Sequence, residues 1–121
     1  MLKSLKKITL EEFLIEMDTL IKEKRETKPK AKLSKRKRNW IHLIENGMLV
    51  CPASEKLVAY CSYDKNMKAN SFHYNFYAED GEMFTIDHKI PKAKGGTGAL
   101  DNVQAMIQRE NTKKGTQETY L

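Results

Sequence analysis

The sequence predicts a small α+β protein with an N-terminal helical arm, and three patterns carry that prediction. Apolar residues recur at helical spacing over positions 10–21, aromatic residues alternate over 72–77, and a β-prone run at 83–88 precedes a second apolar run at 103–107 and a polar helix at 108–114. At 121 residues, with 40% hydrophobic and 31% charged residues, the chain suits one soluble domain with an appended arm. The composition divides it into an arm, 1–33, and a main domain, 34–121.

Thr9 followed three residues later by Glu12 has the form of a capping box, so a helix is expected over about 10–25, with Leu10, Phe13, Leu14, Met17, Leu20 and Ile21 on one stripe. That stripe must be covered, either by the main domain or by a second copy or another protein. Pro29 among alternating lysines gives 27–33 the character of an extended linker. Ser34 offers a second N-cap, for a helix over 35–45 with Trp40, Leu43 and Ile44 inward and Gly47 as its stop. Positions 48–51 and 56–60 read as two short strands around a Pro52 turn, and 63–71 reads as polar and irregular. Strands are expected at 72–77 and 82–87, joined through Glu79-Asp80-Gly81.

Charge is concentrated. Of a net +6, seven positive charges and no acid lie between positions 28 and 38, which leaves −1 for the remainder. Lys35, Arg36, Lys37 and Arg38 fall on the first turn of the second helix, against its dipole, and such a cluster can neutralise backbone phosphates without reading base sequence. Lys92, Lys94, Arg109, Lys113 and Lys114 are further candidates for phosphate contact. No apolar run approaches 18 residues and no secretory signal is visible, so a cytoplasmic protein without membrane contact is expected. Two cysteines, Cys51 and Cys61, are too few for a zinc ribbon; they are expected as free thiols, with a hairpin disulfide as the other possibility.

The chemistry-bearing segment is Asp87-His88, then Asn102, then Asn111. The steps are 14 positions from His88 to Asn102 and 9 from Asn102 to Asn111, with Ile90-Pro91 after the histidine, Gly95-Gly96 in the intervening loop, and Asn111-Thr112-Lys113-Lys114-Gly115 at the end. This pattern resembles the HNH endonuclease family, in the variant whose third position is Asn, over about positions 74–115. The compact size and lysine-rich composition are similar to those of phage-encoded members.

The resemblance implies a ββα-metal (His-Me finger) core built from 83–88, 103–107 and 108–114, hydrolysing phosphodiester bonds in DNA. Imidazole titrates near neutrality, which makes His88 the candidate general base. By resemblance, Asp87 and the amide oxygen of Asn111 hold one hard divalent cation, Mg²⁺ or Mn²⁺, and Asn102 organises the loop that positions His88. Many members bind a structural zinc through two Cys pairs; Met106 and Arg109 stand where the second pair is expected, so no structural zinc is anticipated. Neighbouring strand residues face opposite ways, so the strand must end or bend at Asp87-His88 for both to serve one site. The alternative is a catalytically inactive HNH fold acting as a nucleic-acid-binding or partner-binding adaptor.

Overall fold

Five antiparallel strands pair in chain order: β1 (Leu2–Ile8), β2 (Tyr60–Asn66), β3 (Ser71–Tyr77), β4 (Met83–His88) and β5 (Val103–Ile107). Three helices cover this meander: α1 (Leu10–Thr27), α2 (Lys35–Glu45) and α3 (Gln108–Lys114). The architecture is that of a computed structural model describing residues 1–115, so positions 116–121 of the expected 34–121 domain lie outside the described residues. The chain is α+β, and no described helix is long and apolar enough to cross a membrane.

α1 starts at the capping box: Glu12 N donates to Thr9 Oγ1 and Thr9 N donates to Glu12 Oε1, each at 3.0 Å. Its stripe docks on the sheet. Phe13 and Met17 are fully buried, and the Phe13 ring meets Phe76 and Tyr74 edge-on, with centroids at 4.9 and 5.4 Å. Covering by a second copy, the other expectation for this stripe, therefore loses the surface it needs. Residues 1–33 thus share one core with the rest of the described chain. α2 lies on the same face, capped by Ser34 Oγ and anchored where Trp40 stacks on Phe76 at 4.1 Å. α3 covers the other face of β4 and β5, because Thr85 and Asp87, which it touches, alternate with the core-facing Phe84 and Ile86.

The N-terminal half of the sheet departs from expectation. Leu2–Ile8 forms an edge strand on β2, although only Ile8 is buried. Lys3, Lys6 and Lys7 give that edge the charge that discourages pairing with another chain. Residues 63–66, expected to be irregular, belong to β2. Its polar residues fit a strand because they satisfy one another: buried Asp64 accepts from Ser62 Oγ at 2.5 Å, from Asn75 Nδ2 at 2.9 Å and from the Tyr77 hydroxyl. The hairpin expected over 48–60 reduces to a single bridge, Val50 to Leu57. Cys51 and Cys61 are both buried and free, and burial pushes the Cys61 thiol up to about 12.

β3 and β4 are paired at only two positions, Phe76 with Phe84 and Tyr77 with Met83. Beyond them the strands diverge, so residues 71–75 and 85–88 face each other across an open wedge. The first turn of α2 fills it: Arg36 donates from Nη1 to Tyr74 O at 3.2 Å and from Nη2 to Asn75 Oδ1 at 3.1 Å.

Phe13 joins α1 to β3 through Tyr74 and Phe76. Replacing it, Phe13→Ala, is expected to lower the unfolding free energy by about 3–5 kcal/mol. Urea denaturation checks this; a drop below about 1 kcal/mol would show that α1 is not part of the cooperative core.

Candidate active site

β4 runs through Asp87 and His88 without a bend and ends there, with Asp87 opposite Gln104 and His88 opposite Val103. Strand alternation therefore sends the two side chains to opposite sides of the last two residues of β4. Asp87, buried, faces α3. His88, half-buried, lines a cleft of about 330 Å³ in the wedge, with Lys35, Arg36 and Asn39 of α2 and Lys92 of the following loop. The two groups share the strand end and not one face.

Loop geometry after His88 is set by Asn102. Its Oδ1 accepts from Ile90 N at 2.9 Å, and its Nδ2 donates to Ile90 O at 3.1 Å and Thr97 O at 2.7 Å. One carboxamide thus clamps both arms of the 89–102 loop, and Lys89 N adds a bond to Asn102 O at 2.8 Å. The loop crosses itself so closely at Gly96 that a Cβ there would fall 1.7 Å from Ile90 O, which is why this position takes no side chain.

On the α3 side, Asn111 Nδ2 donates to Thr85 Oγ1 at 2.9 Å, and Lys114 one turn later donates to His88 O at 2.9 Å and pairs with Asp87 Oδ2 at 3.0 Å. Asp87 Oδ2 also accepts from Gln104 Nε2 at 2.9 Å. Asn111 and Asp87 therefore stand two strand residues apart on one face. Among the described residues, neither the Asn111 amide oxygen nor Asp87 Oδ1 takes a hydrogen bond. No group of three or more His, Cys, Asp or Glu among the described residues could hold a metal. A hard cation that keeps several waters and takes substrate oxygens needs only one or two protein ligands, the number these two oxygens would supply.

The expected phosphate contacts divide. Lys35, Arg36 and Lys92 line the His88 cleft, and Lys35 Nζ lies against Gly98 of the loop. Lys37 is half-buried beside Arg36, while Arg38 and Lys94 are exposed. Lys114 is a correction: its side chain is 1% exposed and its charge faces Asp87, out of reach of a backbone phosphate. Arg109 is committed elsewhere too, to Glu82 at 3.1 Å and Glu110 at 3.0 Å. Lys113 lies 3.8 Å from Glu110 with its side chain largely exposed.

Asn39 is a site residue that the sequence pattern does not single out. It is buried on the cleft wall, and its Oδ1 has no partner, which marks a place for a donor from water or ligand. Its only sequence signal is a polar residue beside Trp40 on an otherwise inward-facing helix stripe.

β4 and β5 thus form a two-stranded hairpin followed by a helix, a ββα unit with an acid, an imidazole and two carboxamides around one strand end. Residues 59–117, just under half of the chain, match the family model described as HNH endonuclease. The match begins upstream of the motif and takes in β2 and β3 as well as the hairpin. Neither the curated proteins nor the solved structures yield a significant match.

Lys114 supplies a test of the α3 side. Lys114→Met leaves the Asp87 carboxylate buried without its cation, and is expected to cost about 3–5 kcal/mol of stability in chemical denaturation. An unchanged midpoint would mean that water reaches Asp87 and the pair is not structural.

Proposed function

We propose that the protein is a metal-dependent endonuclease that hydrolyses phosphodiester bonds in DNA, with little intrinsic sequence specificity. The observation that carries this reading is the strand end itself: His88 opens into a cleft lined by Lys35, Arg36 and Lys92, while Asp87 and Asn111 lie together on the opposite face.

In this reading His88 takes a proton from the attacking water, the general-base role an imidazole can fill. Asp87 and Asn111 would hold Mg²⁺, or Mn²⁺ in its place. When bound, that ion supplies charge neutralisation on the phosphoryl oxygens and eases departure of the leaving oxygen. Asn102 fixes the His88 loop, and the lysines and Arg36 hold flanking phosphates without base readout.

One observation favours the rival reading, a catalytically inactive DNA-binding module of the same fold. Lys114 already neutralises Asp87, so the carboxylate is satisfied with no divalent ion bound. A single assay separates the two. Supercoiled plasmid is incubated with wild type and with His88→Ala, in Mg²⁺, Mn²⁺ or chelator. Nicking that requires the metal and falls by at least about 100-fold in the variant supports the enzyme; no metal-dependent nicking, or equal nicking by both proteins, overturns it.

Binding is tested separately in chelator. Neutralising Lys35, Arg36, Lys37 and Arg38 together is expected to weaken DNA binding and to flatten its salt dependence by about 0.9 in log–log slope for each phosphate no longer neutralised. An unchanged slope would remove the first turn of α2 from the interface.

A further inference from the structure

On the other side of Arg36 from His88 lies a second cleft, of about 460 Å³, between the two N-terminal helices and the sheet. Arg36 lines both, so the two clefts are neighbours on either side of one side chain. The volume is in the range of small-ligand sites.

Two features distinguish this groove. Its floor carries aromatic rings on the outer end of the sheet: Tyr63 and Phe72 lie nearly parallel, 17° apart with centroids at 5.9 Å, and Tyr63 also meets Tyr74 at 4.7 Å. Phe72 is 47% exposed, an unusual position for a phenylalanine on the helix-covered face of a sheet. Its walls carry cations: Lys24 from α1, Arg36 and Lys37 from α2. Lys37 and Lys24 crowd each other, and Lys37 is held below its ordinary pKa by burial first and by Lys24 second. Arg36 is bound to neutral oxygens, so its charge is not cancelled by the groups that fix it. The Tyr74 hydroxyl donates to Glu16 at 2.8 Å, and Glu16 is itself paired with Lys6 at 2.5 Å.

Lys65 Nζ also lies over the Phe72 ring, 5.6 Å from its centroid. Exposed rings beside cations recognise stacked bases and their phosphates together. A duplex offers its phosphates to such a surface but keeps its base faces inside the helix. We propose that this groove binds an unpaired DNA strand leaving the His88 cleft, with a base stacked on Phe72 and Tyr63 and the phosphates beside Arg36, Lys37 and Lys24. The substrate is then DNA with a single-stranded segment next to the cut. Its link to cleavage rests on the nuclease reading, whereas the binding itself does not.

The experiment is fluorescence anisotropy in chelator with the full chain, using labelled oligo-dT and a labelled duplex of equal length. Three proteins are compared: wild type, Phe72→Ala and Phe72→Leu, the last keeping an apolar side chain while removing the ring. The expected result is a loss of single-strand affinity of about 5- to 100-fold in both variants, exceeding any loss on duplex at least about fivefold. Equal losses on the two DNAs, no loss on oligo-dT, or full rescue by leucine overturns the proposal. So does displacement of oligo-dT by polyglutamate as readily as by unlabelled oligo-dT, which would assign the groove to an acidic peptide. Failure of the nuclease reading looks different: selective oligo-dT binding persists, and plasmid nicking by the wild type is absent.

Discussion

The register of β4 on β5 decides which chemistry each face of the hairpin presents. Phe84 opposite Ile107 and Ile86 opposite Ala105 bury one side, and all but Ile86 are 1% exposed or less. A slip of one residue would carry Thr85 and Asp87 into that apolar layer and bring Phe84 and Ile86 out of it. Burying an ionised carboxylate there without a partner is costly enough to exclude the alternative pairing. α3 follows β5 directly, at Ile107 to Gln108, so the same register also sets how far along β4 Asn111 and Lys114 reach. Asn111 meets Thr85 and Lys114 meets Asp87 because three residues of helix rise about 4.5 Å, a little less than the roughly 6–7 Å spanned by two residues of strand.

Much of this hairpin was legible in the sequence, since its signals are local. The β-prone run, Ile90-Pro91, the close-packed Gly96 and the spaced polar residues each constrain backbone within a few positions. β1 and β2 were not legible for a physical reason. An edge strand with a single buried residue has no hydrophobic period, and β2 hides Asp64 by satisfying it with Ser62, Asn75 and Tyr77, the last two 11 and 13 positions away in the chain. Lys114 resists sequence reading because a lysine in a run of basic residues looks solvated, and only the fold reveals that its side chain crosses to Asp87. The adjacency of Asp87 and His88 suggests a bend or an end to the strand. The strand stops at His88, and its end makes both sides reachable.

Cations that the sequence counts alike are thus put to different uses. Lys114 and Arg109 are committed to carboxylates, one buried and one at the surface. Arg36 is held by a backbone carbonyl and a carboxamide. The distinction follows from what each can do for an anion. A cation already paired must break that pair before it can help, whereas one fixed by neutral oxygens is oriented and still charged.

The placement of Arg36 also explains why the sheet can split. Strand edges left unpaired by the divergence of β3 and β4 would expose carbonyls and amides, and at Tyr74 a guanidinium takes the place of the missing strand. The first turn of α2 carries four cations and no acid at the positive end of its dipole, an arrangement that destabilises an isolated helix. Here that turn closes the wedge through Arg36, and the same positive end lies beside His88 on one side and the aromatic groove on the other. An anion relieves the strain of gathering like charges at one helix terminus, so the local electrostatics that weaken α2 in isolation favour negative charge beside its first turn.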